Sequence, residues 1–238
     1  MTILSIIIPC YNEEKNIIPL FEKIGELLEE DSSIEVIIVN NGSTDNTKNS
    51  ILNSKLNIDK KIKVYEIKEN IGYGHGIMSG VKIASGEYIG WCHADLQTEP
   101  MDVYNAYLAN SEQLKNEKVI IKGLRTNRNM FDGIFTLGMS VFVSIVFQRI
   151  INDINAQPKL FSKNFIKFLN HHPHDFSLDL YLLIIAKLKN YKIINHRVIL
   201  KKRLYGEAKG GGNIKGKLKL IIRTFIYIFQ LRKKMWKL

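Results

Sequence analysis

Five consecutive residues, His93-Ala94-Asp95-Leu96-Gln97, place an imidazole, a carboxylate and a carboxamide at alternate positions directly after the apolar run Tyr88–Cys92. Such groups ligate a divalent cation or pair with phosphate oxygens. In extended backbone every second side chain points the same way, so 93, 95 and 97 are expected on one face. The plain alternative is a strand-end turn in which Asp95 caps the helix that follows. Two further polar clusters have the same setting. Pro9-Cys10-Tyr11-Asn12-Glu13-Glu14 follows the apolar run Leu4–Ile8, and Asn40-Asn41-Gly42-Ser43-Thr44-Asp45 follows Val36–Val39.

The elements that must position these clusters are legible from periodicity. Leu4–Ile8, Val36–Val39, Val64–Ile67, Tyr88–Cys92 and Val119–Lys122 read as strands. Ile17–Leu28 has apolar residues at 17, 20, 21, 24, 27 and 28, a helical spacing. Asn46–Leu56 and Gly76–Ala84 read as crossover helices. The βαβα order predicts a mostly parallel sheet covered on both faces. Ligands of such sheets bind in the crevice outside the carboxyl ends of the strands, so three polar clusters at strand ends predict a single site. Helix capping by Asn12, Ser43 and Asp45 is the structural alternative. Asn70-Ile71-Gly72-Tyr73-Gly74-His75-Gly76 lacks the G-x-G-x-x-G of dinucleotide folds, but it suits a turn that brings a sugar or phosphate close to backbone.

Composition sets outer bounds. A chain of 238 residues with 45% hydrophobic content supports a substantial core. Cys10 and Cys92, each ending an apolar run, read as buried thiols of a reducing compartment, and no zinc-ligand spacing is present. The first strand begins almost at Met1, so no signal peptide is expected. The net charge of +11 is concentrated: residues 197–238 carry 13 Lys/Arg against one acidic residue, and the remainder is nearly balanced. Such a tail suits nucleic acid, anionic headgroups or phosphate-bearing substrates.

Four stretches together resemble the family 2 glycosyltransferases of GT-A fold: Ser5-Ile-Ile-Ile-Pro9-Cys-Tyr-Asn-Glu13, Val39-Asn-Asn-Gly-Ser-Thr-Asp45, Asn70-x-Gly72-x-Gly74, and Gly86-Glu-Tyr followed by His93–Gln97. The branch containing dolichyl- and polyprenyl-phosphate sugar synthases is the most similar. The resemblance spans residues 3 to about 212, with the motifs in order. It implies that Pro9, Tyr11 and Glu13 bind the nucleotide, with Asn41 at the base. Gly74 and Ala94 fall in the same nucleotide-sugar-binding stretches. His93, Asp95 and Gln97 match an Asp-x-Asp-x-Gln that holds Mg2+ or Mn2+ and the donor's diphosphate. Asn155–Phe161 is similar to the acceptor-side segment that closes the site. Asp179 matches an acidic residue near the acceptor and becomes, with Asp95, a candidate catalytic residue. Arg125, Arg203 and Lys209 resemble phosphate-binding positions.

The chain departs from the family pattern twice. Asn41 stands where an aspartate is usual. A carboxylate only accepts, which suits the ring N–H of uracil or guanine, whereas a carboxamide also donates and so raises cytosine as a candidate base. His93 stands where the first aspartate is usual. Imidazole favours softer ions than Mg2+, so His93 either joins the metal or hydrogen-bonds the diphosphate, with Asp95 as principal ligand. These departures also motivate a non-enzymatic alternative, a nucleotide-sugar-binding protein without turnover. In the enzymatic reading the sugar moves by in-line displacement with inversion. A hydroxyl acceptor requires a base, for which Asp179 is the candidate, while a lipid phosphate is already anionic.

Ile134–Phe147 is almost wholly apolar but too short, as a helix, to span a bilayer, which takes about 20 residues. It reads as a core helix or one that partly faces lipid. In the tail, Leu218, Ile222, Phe225 and Phe229 share one helical face, with Lys219, Arg223, Gln230 and Lys234 opposite and Trp236 near the end. Interfacial membrane helices have this character, while docking on the protein's own core or a homodimer contact would use the same face. No nucleic-acid motif accompanies the charge. The sequence therefore predicts a GT-A domain at 1–212 and a basic amphipathic helix at 213–238. It also predicts a cytoplasmic enzyme held at the inner membrane surface, taking a polyprenyl-phosphate or lipid-linked acceptor. A soluble or polysaccharide acceptor is the alternative.

Overall fold

The structure, a computed structural model, describes residues 2–55, 61–127, 130–148, 150–206, 222 and 225–233. Two compact units make up the chain, one of residues Met1–Asn127 with Asn155–Tyr205, the other of Arg128–Ile154 with Gly206–Leu238.

The larger unit is built on a seven-stranded sheet. In chain order its elements are β1 (Leu4–Cys10), α1 (Ile17–Glu30), β2 (Ile34–Asn41), α2 (Thr47–Lys55), β3 (Ile62–Ile67), α3 (Tyr73–Ile83), β4 (Tyr88–Trp91), α4 (Pro100–Ala109), α5 (Ser111–Asn116) and β5 (Val119–Arg125). After the second unit's helix α6 (Met130–Phe147) come β6 (Lys159–Ser162), a 3-10 turn (Lys163–Phe168), α7 (Leu178–Leu188) and β7 (Lys192–Val198). The strand order is β3-β2-β1-β4-β6-β5-β7. Only β6 runs antiparallel to its neighbours, so the sheet is mixed but mostly parallel. The α/β architecture is the one periodicity predicts, because β1 and β2 are centred on apolar runs and buried throughout except at Pro9.

Helix α1 buries Ile17, Leu20, Phe21, Ile24 and Leu27, the stripe expected from its spacing. Helix α3 begins at Tyr73, three residues before the predicted start. Its glycines have packing reasons. A Cβ on Gly76 would lie 2.8 Å from Asn41 Nδ2, and one on Gly72 or Gly74 would strike the backbone of His174 or Pro173. The room these glycines leave is filled by the chain's own 173–175 segment.

Strands β6 and β7, for which no apolar run announces itself, complete the sheet. Register aligns Trp91 with Lys159 and Lys159 with Lys122, a transverse row on one face of the sheet. Both lysines are completely buried.

In the second unit, α6 buries Ser140, Val143 and Phe147 and exposes Val141 and Ile145. Residues 225–233 are helical, and Phe142 makes edge contacts with Phe225 and Phe229. On the face expected to be apolar, Ile222 and Phe229 are more than half exposed and Phe225 is partly buried, whereas the buried residues of this stretch are Ile228 and Leu231. Among the described residues, no helix is long and apolar enough to cross a membrane. The remainder of the predicted tail face, including Leu218, Lys219, Arg223, Lys234 and Trp236, lies outside the described residues.

Candidate active site

Parallel pairing brings the carboxyl ends of β1, β2 and β4 to one edge, with Cys10 opposite Asn40 and Ile7 opposite Trp91. The loops there are tied to one another. Asn12, in the left-handed region at φ 52°, receives a hydrogen bond from Thr44 N on Oδ1 (2.8 Å) and donates its own N–H to Ser43 Oγ (3.0 Å). Glu13 N donates to Thr47 Oγ1 (2.8 Å), and Asn16 Nδ2 donates to Glu13 Oε2. Pro9, Tyr11 and Glu13 lie half-buried along this edge.

Asn41 is 3% exposed and donates from Nδ2 to the Gly72 carbonyl (3.0 Å). Its Oδ1 is a buried acceptor without a partner among the described residues. The carboxamide thus links β2 to the start of α3. Asn40 turns the other way, donating to Glu66 Oε1 (3.1 Å).

The segment 93–97 is a turn, not extended strand, which corrects the expectation that its three polar side chains share a face. Asp95 Oδ1 accepts the Gln97 N–H (3.1 Å), and Leu96 sits at φ 56°. That side-chain-to-backbone bond folds the segment back, as short polar residues do at strand ends. The three side chains therefore diverge. His93 Nε2 meets the Tyr73 hydroxyl (3.0 Å), and Gln97 Nε2 donates to the Lys201 carbonyl (3.4 Å). Asp95, 3% exposed, places Oδ2 2.5 Å from the Arg203 guanidinium. Ala94 is buried between them.

Arg203 comes from the segment after β7, which is fastened to the same turn. Lys201 N donates to Gln97 O (2.9 Å), and Lys201 Nζ pairs with Glu99 Oε1 (2.5 Å). The structure thus joins Asp95 and Arg203, two site residues 108 positions apart in sequence. Arg125 ends β5, partly buried and in register with Val198. Lys209 lies outside the described residues.

Asp179, in the first turn of α7, is 2% exposed. Trp91 Nε1 donates to its Oδ1 (3.3 Å), Gln157 Nε2 donates to its Oδ2 (3.0 Å), and Lys159 Nζ lies 3.5 Å from Oδ1. Lys159 also donates to Ala156 O (2.6 Å), and Lys122 to Gly123 O (2.9 Å). Gln157 Nε2 is also 3.1 Å from the Tyr73 hydroxyl. A continuous polar chain therefore runs Lys159–Asp179–Gln157–Tyr73–His93. Burial first, then the Asp179 carboxylate, pushes the Tyr73 hydroxyl well above the usual tyrosine range, so it holds its proton. Sequence reasoning missed Tyr73, Gln157, Lys159 and Lys122 as members of this network. The signal available was two lysines within otherwise apolar stretches, at 122 and 159.

Among the described residues no three His, Cys, Asp or Glu side chains could hold a metal ion. One carboxylate, Asp95, faces a cationic group, and Mg2+ sites often use one or two carboxylates together with substrate phosphates. A single carboxylate, Asp95, is placed to serve a divalent cation in that mode, and its Oδ2 is shared with Arg203.

The model of the family described as "Glycosyl transferase family 2" matches residues 5–165. A dolichyl-phosphate beta-glucosyltransferase of Trichomonas vaginalis is 29% identical over 208 residues, covering 79% of this chain and 63% of that protein. A dodecaprenyl-phosphate galacturonate synthase of Rhizobium johnstonii is 29% identical over 136 residues, covering 56% of this chain and 38% of that protein. This chain thus spans under two thirds of the length of either relative. Among solved structures, glucosyl-3-phosphoglycerate synthase from Mycobacterium tuberculosis, in complex with Mn2+, UDP and glucosyl-3-phosphoglycerate, superposes with a TM-score of 0.74 at 16% identity. The match covers 97% of this chain and 80% of that one, and at such low identity it speaks to the fold.

Proposed function

This chain belongs to glycosyl transferase family 2, and on that premise we propose that it transfers a sugar from a nucleotide-diphosphate donor to a polyprenyl phosphate or lipid-linked acceptor. The carrying observation is the convergence of Asp95 and Arg203 at the edge where three parallel strands end. A carboxylate and a guanidinium side by side provide one group for a cation and one for the anionic diphosphate. The names of the T. vaginalis and R. johnstonii relatives support a lipid-phosphate acceptor.

The reaction breaks the bond between the anomeric carbon and the diphosphate oxygen as an acceptor oxygen attacks from the opposite face. Negative charge builds on the leaving diphosphate, so groups that stabilise it there lower the barrier most. Arg203 is assigned this role, with Arg125 and Lys209 proposed for further phosphates. Asp95, assisted by Gln97, would hold Mg2+ or Mn2+, which supplies charge neutralisation of the diphosphate when bound. Asp179 is enclosed by Trp91, Gln157 and Lys159, an arrangement poorly suited to taking a proton from an acceptor hydroxyl. This supports an acceptor that is already anionic.

Uridine is the favoured nucleoside. One hydrogen of the Asn41 amide goes to Gly72, and its Oδ1, without a partner among the described residues, complements a ring N–H, as in uracil. The fold neighbour carrying UDP agrees. Attachment to a membrane surface is supported by the basic tail and by apolar side chains exposed on both helices of the second unit.

A thermal-shift screen of UDP-, GDP-, CDP- and dTDP-sugars with Mn2+ or Mg2+, followed by transfer assays to polyprenyl phosphate, tests the proposal. Specific binding at a hundredfold excess over Kd adds about 2.7 kcal/mol of stability. Stabilisation by a UDP-sugar and metal-dependent transfer are expected. No shift with any of the four donors would reject the reading.

A further inference from the structure

Hydrogen-bond direction along the buried chain decides which nitrogen of His93 carries a proton. Asp179 is paired with Lys159 and only accepts, so the Gln157 group facing it is the amide nitrogen. Reversing that amide would set Oε1 against a carboxylate. In the observed orientation Oε1 is buried with no partner among the described residues. The second hydrogen goes to the Tyr73 oxygen. The Trp91 indole, also beside that hydroxyl, can only donate. Tyr73 is thus surrounded by donors, and its own proton has one acceptor among the described residues, His93 Nε2.

The Tyr73 ring is itself fixed. It stacks on Phe176 at 4.8 Å and meets the His93 ring edge-on at 5.4 Å. His93 is half-buried, and its Nδ1 makes no hydrogen bond to the described residues. A neutral imidazole that accepts at Nε2 must carry its proton at Nδ1.

We propose that His93 is a hydrogen-bond donor and not a cation ligand, its Nδ1–H directed to a phosphate oxygen of the donor's diphosphate, with Tyr73, Gln157 and Asp179 as positioning residues. The identity of that anion rests on the glycosyltransferase reading; the tautomer does not. The substitution of imidazole for a carboxylate in the 93–97 motif then replaces a cation-binding group by an anion-binding one two residues from Asp95. Metal binding falls to Asp95, and part of the diphosphate's charge is met by His93 and Arg203.

Two measurements on the full chain test this. Long-range 1H–15N NMR of the histidine rings, with His93 assigned by its loss in His93→Asn, should show an unprotonated Nε2 and a protonated Nδ1. Tyr73→Phe should shift the Nε2 resonance. Binding of UDP with Mn2+ is then compared for His93→Asn, whose amide nitrogen can occupy the Nδ1 position, and His93→Gln, whose terminal amide reaches the Nε2 position. Binding by His93→Asn should stay close to wild type, and His93→Gln should weaken by roughly tenfold, the loss of one charge-assisted hydrogen bond. Mn2+ affinity without nucleotide should be unchanged in both and lost in Asp95→Asn.

A proton on Nε2, equal UDP affinity in the two variants, or Mn2+ affinity that falls as in Asp95→Asn would each overturn the assignment. Failure of the wild-type chain to bind UDP, GDP, CDP or dTDP would instead reject the glycosyltransferase reading and the choice of anion, leaving the tautomer to be judged by the spectrum.

Discussion

Asp95 and Arg203 face each other at 2.5 Å, so the carboxylate proposed to hold a metal is already paired with a cation from the segment after β7. The pair is largely buried, with Arg203 at 19% and Asp95 at 4% side-chain exposure, and the Lys201–Glu99 pair fastens the same segment. A divalent ion and Arg203 therefore compete for Asp95 Oδ2. A donor carrying both metal and diphosphate resolves the competition, because it offers Arg203 a new anion.

Arg203→Met should tighten Mn2+ binding in the absence of nucleotide, since the competing charge is removed. The same change should weaken UDP binding in the presence of Mn2+ by roughly tenfold or more, the value of a charge-assisted contact to phosphate. Mn2+ titration followed by electron paramagnetic resonance, with and without UDP, reads both effects. Parallel loss of both affinities would argue against competition.

Lys159→Met should be strongly destabilising. It leaves Asp179 buried without its ion partner, a change that costs about 3–5 kcal/mol in buried pairs. Replacing both, as Lys159→Met with Asp179→Leu, should recover part of the loss. Thermal unfolding of the two singles and the double measures the coupling.

Glu35 links three elements: Ser5 Oγ (2.5 Å) and Ser85 N (2.6 Å) donate to its carboxylate, and Lys63 pairs with it (2.7 Å). Burial alone would raise its pKa, but these partners bring it down to about 2. A depressed carboxylate contributes stability above its unfolded pKa of about 4.5 and loses it as pH falls toward about 2. Wild type should therefore lose stability across that window more steeply than Glu35→Gln. Denaturant unfolding at pH 7, 5, 4 and 3 checks the slope.

Gly76→Ala should destabilise by about 1–3 kcal/mol, because its Cβ would press on the Asn41 carboxamide. Since Asn41 ties β2 to the start of α3, UDP affinity should fall too. A variant with full stability and full affinity would remove Asn41 from the site.

The full chain should sediment with anionic vesicles at low salt, and a 1–213 truncation should not. Residues 197–238 hold 13 basic residues against one acidic, so raising ionic strength should release the full chain. Equal partitioning of the two would sink the membrane assignment.

The apolar runs Ile6–Ile8, Val36–Val39 and Tyr88–Trp91 make the parallel core legible, because strands buried on both faces are dominated by apolar residues. Strand β7 is hidden for the opposite reason: Lys192, Asn195 and Arg197 interrupt its apolar positions. Strand β6 is four residues long and begins with a buried lysine, a residue type that ordinarily marks the surface. Between extended backbone and a strand-end turn at 93–97 the structure shows the turn, and alternation of residue types does not decide this because it does not reveal that Asp95 bonds its own chain two residues on.

The sequence by itself determined the first five strands and the helices between the first four, the three polar edges and the family, since these depend on local periodicity and on motifs of neighbouring residues. Tertiary structure alone decided the partners. Arg203 on Asp95, Lys159 on Asp179 and Tyr73 on His93 are contacts between residues 108, 20 and 20 positions apart. Charge and hydrogen-bond direction act through space over a few ångströms, and chain separation carries no record of that distance.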